Sequence, residues 1–137
     1  MAITLEDYVG PHAGSEDWNQ ERIDNAVGLL RRVNRLIDAM VARKLCRFRI
    51  SPHTGTMISG QTFGGFRPQD CPQGAPNSSH KDAKGGDLYD PKNEIDAALT
   101  DALLIEFDLY RESPGATTGW VHLTTRAPKS GHRSFLP

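Results

Sequence analysis

The sequence predicts an α+β fold, and three observations lead there. Between about residues 18 and 44, Ile23, Val27, Leu30, Val33, Ile37, Met40 and Val41 recur at three- and four-residue intervals, the spacing of one buried helix face. A second, shorter helical pattern follows Asp90-Pro91. Around these lie brief stretches that alternate polar and apolar, Arg47-Phe48-Arg49-Ile50 and Trp120-Val121-His122-Leu123-Thr124-Thr125, the period of half-buried strands. A long N-terminal helix and a second helix packed on a small, largely antiparallel sheet would bury all these apolar faces together.

The chain has 137 residues, 37% of them hydrophobic, which suits one domain over 1–137 with a modest core. Residues 1–14, with Gly10, Pro11 and Gly14, read as an irregular N-terminal arm. Ser15 or Asp17 is placed to cap the long helix, with Glu16, Asp17 and Glu21 near its positive end and Arg43 and Lys44 near its negative one. Asp24, Arg31, Arg35 and Asp38 mark its solvent face. Arg47–Ile50 reads as a first strand, broken by Ser51-Pro52-His53-Thr54-Gly55, and Met57 to Phe66 as a weaker, glycine-rich one. A long loop follows, delivering Asp87-Leu88-Tyr89 as a short strand. Asp90 can cap the second helix and Pro91 suits its first position; Ile95, Ala98, Leu99, Ala102 and Leu103 carry it on. Ser113-Pro114-Gly115-Ala116 is a turn, the strand at 120–125 sets Trp120, His122 and Thr124 on one face, and Arg133-Ser134-Phe135-Leu136 reads as a terminal strand.

A net charge of −1 offers no electrostatic argument for a nucleic-acid partner. Arg31, Arg32, Arg35, Arg43, Lys44, Arg47 and Arg49 crowd a stretch whose only acid is Asp38; such a stripe can attract an anionic polymer, but reads first as a solvated helix face. Cys46 and Cys71 lack the paired spacing of a zinc knuckle or redox motif and read as reduced thiols. The start, Met-Ala-Ile-Thr-Leu-Glu-Asp, has acids where a signal peptide has basic residues, and no apolar run is long enough to span a bilayer. Cytoplasmic synthesis without a signal peptide is the expectation.

The chemistry concentrates in the loop from Arg67 to Asp87, where Gly74, Gly85, Gly86, Pro68, Pro72 and Pro76 supply turns that let His80 and Asp87 converge. His122 is a third ligand far downstream. A His, Asp, His set leaves one position of a tetrahedral zinc open, the mark of a catalytic rather than a structural site. His12, His53 and His132 lie in turn or flexible contexts without a matched partner; of these, His53 is the best accessory substrate contact.

Gly64-Gly65-Phe66-Arg67-Pro68, then Asn77-Ser78-Ser79-His80 with Asp87 seven residues on, then Trp120-Val121-His122, resembles the M15-type zinc peptidases. That group includes D-alanyl-D-alanine carboxypeptidases and dipeptidases and the peptidoglycan endopeptidases of phage endolysins. The resemblance spans about residues 58 to 125 and implies the hedgehog-like peptidase fold of that group. It also implies that His80, Asp87 and His122 bind zinc, that Arg67 faces the substrate and stabilises charge on the scissile carbonyl, and that Ser78 braces the histidine loop. Trp120 is expected to wall the cleft. Many relatives carry a catalytic acid three residues before the final histidine, where this chain has Gly119. The proton carrier must then come from elsewhere, with Glu112, Asp108 and Glu106 as the choices in that order. The expectation is a zinc metallopeptidase cutting an amide in the peptide stem or cross-link of bacterial peptidoglycan, endolysin-like, monomeric, and acting on the cell wall after release or as a virion component. Two alternatives stand beside it: a D-alanyl-D-alanine carboxypeptidase or dipeptidase, and a wall-binding or virion module that keeps the metal and has lost the base.

Overall fold

The computed structural model describes residues 2–136. It is an α+β fold with four α-helices and a four-stranded mixed sheet among the described residues. The helices are α1 (Leu5–Val9), α2 (Gln20–Ala42), α3 (Glu94–Ala98) and α4 (Asp101–Phe107); the strands are β1 (Gly85–Tyr89), β2 (Tyr110–Glu112), β3 (Trp120–Thr124) and β4 (Ser134–Phe135). The sheet order is β1-β3-β2-β4, with β3 antiparallel to both β1 and β2 and β4 parallel to β2.

The N-terminal arm is more regular than its glycines suggest. Thr4 and Asp7 form a reciprocal capping box, each side chain accepting the other's backbone N–H at 3.1 and 3.0 Å, and this starts α1. Burial of Ile3, Tyr8 and Val9 fastens the arm to the core. The long helix begins later than expected, capped by Asn19, whose Oδ1 accepts from Arg22 N at 3.1 Å, rather than by Ser15 or Asp17. Asp17 instead accepts from Gln69 N at 2.8 Å, tying the helix entry to the loop before the site. The buried stripe of α2 is Ala26, Leu29, Leu30, Val33, Leu36, Ile37 and Met40. Val27 and Val41, expected inside, are exposed, because the stripe includes Ala26, Leu29 and Leu36 and so sits rotated from the expected one. Asp24, Arg31, Arg35 and Asp38 face solvent as expected.

Residues 47–50 form no strand: Arg49 pairs with Glu94 at 2.7 Å, Phe48 packs against the core, and Ile50 is exposed. Four alternating residues with no neighbouring edge to pair with do not make a ladder. The segment 57–66 is likewise not a strand, touching β1 through a single bridge between Ile58 and Leu88. It nevertheless covers the outer edge of β1, with Ser59 N donating to Asp87 O at 2.9 Å and Asp87 N to Gly64 O at 2.7 Å. The second helix is two helices. Asp90 caps α3 from four residues away, its two carboxylate oxygens accepting from Ile95 N and Asp96 N at 3.0 Å each. Leu99 is extended, and Thr100 caps α4 by accepting from Leu103 N at 3.2 Å. One core joins α2, α3 and α4 to the inner face of the sheet, Leu88, Val121 and Leu123, with Met57, Ile58 and Phe66 closing one side. No helix among the described residues is long and apolar enough to cross a membrane.

Candidate metal centre

Alternation along the strands decides which side chains leave the core. Because Leu88, Val121 and Leu123 point inward, Asp87, Trp120, His122 and Thr124 point to the opposite face. Asp87 is the register partner of His122 across β1 and β3. Tyr110 and Arg111 pair with Thr124 and Leu123, and Glu112, one residue beyond that ladder, pairs with Phe135 of β4 and lines the same cleft as His122. Asp87 and His122 therefore face each other across β1 and β3, the loop before β1 adds His80 to them, and Glu112 at the end of β2 completes a row of polar side chains along the cleft.

At the centre, Asp87 Oδ1 lies 2.9 Å from His122 Nδ1 and 3.3 Å from His80 Nε2. The three ligand atoms that His80, Asp87 and His122 can offer all fall within 4.8 Å of one another, and both imidazoles are buried. The remaining ring nitrogens are engaged. His80 Nδ1 is 2.8 Å from Gly65 O, and His122 Nε2 is 3.1 Å from Ser79 Oγ. A carbonyl oxygen only accepts, so His80 donates from Nδ1 and presents Nε2 to Asp87. Ser79 Oγ, a hydroxyl that can donate or accept, engages Nε2 of His122 and leaves its Nδ1 facing the same oxygen. Each imidazole meets Asp87 Oδ1 through a ring proton, or through a cation that takes the place of those protons. Two imidazoles and a carboxylate whose outer hydrogen bonds fix their orientation are a donor set that could hold a metal ion.

Burial by itself would raise the Asp87 carboxyl, but the charge of His80 and hydrogen bonds from His122 and His80 outweigh it and hold the group far below the ordinary carboxylate range. Arg67 stands on the other side, 3.8 Å from Asp87 Oδ2, with its Nε donating to Phe63 O at 2.7 Å. Two glycines make this packing feasible. A Cβ on Gly85 would collide with Ser79 Oγ and with His122 Cε1, and one on Gly65 would fall on the Tyr8 backbone. Tyr8 completes the support: its carbonyl accepts from Phe66 N at 3.1 Å and its hydroxyl donates to Gly85 O at 2.7 Å. Burial first, then the nearby Asp87 charge, pushes the Tyr8 phenol far up, so it remains a neutral donor.

The site opens into a cleft of about 930 Å³. Arg67, Ser78, His80, Asp87, Glu112, Trp120 and His122, the residues assigned metal, catalytic or supporting roles from the sequence, all line it. Ser78 Oγ accepts from His80 N at 3.3 Å. Of the three acids considered, Glu112 is in the cleft; Glu106 is paired with Arg43 at 2.7 Å, and Asp108 with Arg133 at 3.1 Å. Glu112 sits on strand β2 rather than swinging from a turn. Its neighbour Arg111 is on the other face, donating to Asp96 O and Ser134 Oγ at 3.2 Å each, and so does not compete for it. Gly119 has φ +89°, its N donates to Asn93 Oδ1 and its O accepts from Asp90 N, so a backbone role occupies the position where relatives of the resembled family carry an acid.

His53 is not in this cleft. It lines a separate hollow beside α1, and His12 stacks on Phe63. His132 does line the cleft, on the loop after β3. Ser79, Gly85, Gly65 and Tyr8 were not expected from the sequence. The doubled serine before His80 was the only signal for Ser79, and the roles of the other three depend on close approach between segments distant in the chain. Comparison of the chain with models of protein families, with curated proteins and with solved structures finds no match.

Proposed function

We propose that the chain is a zinc-dependent peptidase that hydrolyses an amide bond in the peptide stem or cross-link of bacterial peptidoglycan, as the resemblance to M15-type peptidases implies. The observation that supports this reading is the cluster of His80, Asp87 and His122 with Glu112 in the same cleft, lining an open cavity rather than sealed in the core. Zinc is the metal of choice because neutral imidazole nitrogens and a carboxylate are ligands it favours, and three of them leave a position free. Held there, it supplies Lewis acidity to a carbonyl oxygen and to water.

The chain's own residues do the rest. Glu112 takes a proton from the attacking water on its carboxylate and returns it to the leaving amine nitrogen, which frees the amine as the C–N bond breaks. Arg67 keeps a permanent positive charge at the cleft wall, balancing Asp87 and stabilising the oxygen that gains negative charge at the scissile carbon. Ser79 and the Gly65 carbonyl hold the imidazoles in place so that neither rotates during the reaction. Trp120, 37% exposed at the mouth, provides a flat apolar wall for a peptide chain. Action on the wall after release or from a virion goes with this reading.

The test is incubation of the purified protein with sacculi and mass analysis of what is released. Soluble muropeptides with a newly freed amine and carboxyl, lost with chelator and restored by zinc, are the expected result. Zinc binding at His80, Asp87 and His122 with no cleavage product would overturn the enzymatic reading and favour the wall-binding module.

A further inference from the structure

The cleft has a second charged feature that the hydrolytic row does not use. Its wall on one side is the loop after β3, from which Arg126, Lys129 and His132 line the cavity. This loop is built, not slack. Thr124 Oγ1 accepts from Arg126 N at 3.0 Å, the Arg126 guanidinium reaches Asp82 at 2.7 Å, and Gly131 N closes a tight turn onto Pro128 O at 3.0 Å with Gly131 at φ +73°. Lys129 is at the second position of that turn. Arg126 has its counter-ion in Asp82 and Arg67 has Asp87, whereas Lys129 makes no ion pair among the described residues. The acids of the cleft, Asp87 and Glu112, belong to the row on the sheet floor. The cleft thus has carboxylates and a candidate metal centre at its floor and, on one wall, an exposed lysine with no carboxylate paired to it among the described residues.

We propose that Lys129 forms an anion subsite that takes a free carboxylate of the substrate, so that the cleft selects peptides carrying an unamidated acidic group near the cleaved bond. This deepens the peptidase reading and rests on it for the identity of the polymer. Stem peptides of peptidoglycan occur with their glutamate α-carboxyl either free or amidated, which makes them a direct probe: the two forms differ in one charge and hardly in shape.

The experiment is calorimetric binding of two synthetic stem peptides, free acid and α-amide, to zinc-loaded Glu112→Gln protein, repeated with Lys129→Gln introduced. The free acid is expected to bind about fivefold more tightly, the worth of one exposed charged contact, and Lys129→Gln should equalise the two peptides. The difference should also shrink as salt rises. Equal binding of both peptides, a preference that survives Lys129→Gln, or no binding of either peptide would overturn the subsite. Hydrolysis of both peptides by the wild-type protein with equal KM would leave the peptidase standing and remove the subsite. A Lys129-dependent preference with no hydrolysis would do the reverse.

Discussion

At Asp87 one carboxylate oxygen faces two imidazoles and the other faces a guanidinium, so every lone pair in the site has an assigned partner or a shared target. Removing one supporting atom should therefore loosen the metal without dismantling the fold. Ser79→Ala takes away the contact to His122 Nε2 and leaves the ligands themselves intact; zinc affinity, read by competition with a chromophoric chelator, should fall by about 10- to 100-fold. Glu112→Gln separates the two roles of the row. It keeps shape and removes the basic oxygen, so zinc affinity should be unchanged while kcat on muropeptides falls by about 10²- to 10⁴-fold. A Glu112→Gln protein that cleaves at the wild-type rate would remove Glu112 from the mechanism.

The elements differ in how openly the sequence announces them. The long helix, the strand carrying His122 and the terminal strand were readable because each has a period, and α2 differs in its capping residue, Asn19, and in its rotation. What could not be read is what depends on a partner. Arg47–Ile50 alternates like a strand but has no edge beside it, and Tyr110–Glu112 is a short polar stretch that becomes β2 because β3 and β4 lie on either side. The second helix broke at Leu99 because Asp90 caps one piece and Thr100 the next. Asp90→Ala strands two backbone N–H groups at the start of α3, and should lower unfolding stability in denaturant titration by about 1–2 kcal/mol. The same dependence on context explains Gly119. Placing the missing family acid there, Gly119→Glu, forces a side chain into φ +89° and should cost about 1–2 kcal/mol without raising kcat, since Glu112 already occupies the row.

For the whole molecule, a metal at the site would tie the β1–β3 ladder to the His80 loop and the 64–67 segment, which the rest of the chain holds through fewer contacts. His80 leans on the 64–67 segment through Gly65, that segment leans on α1 through Tyr8, Asp87 is on β1, and His122 is on β3. A metal ion that binds only when these four pieces are assembled stabilises the assembled state. At free zinc one hundred times its dissociation constant the gain is about 2.7 kcal/mol. For a chain of this size that corresponds to a rise of roughly 5–10 °C in the unfolding midpoint. Because both imidazoles must be free of protons on the nitrogens that face the metal, binding releases protons and the rise should diminish as pH is lowered. Hydrogen exchange can show where the stabilisation goes. Added zinc should slow the amides of Gly85–Tyr89 and Trp120–Thr124 and those of Gly65 to Arg67 more than the buried amides of α2, whose packing does not involve the ligands. Uniform protection over α2 and the sheet alike would mean that zinc stabilises a single cooperative unit; protection confined to α2 would exclude His80, Asp87 and His122 as the binding site.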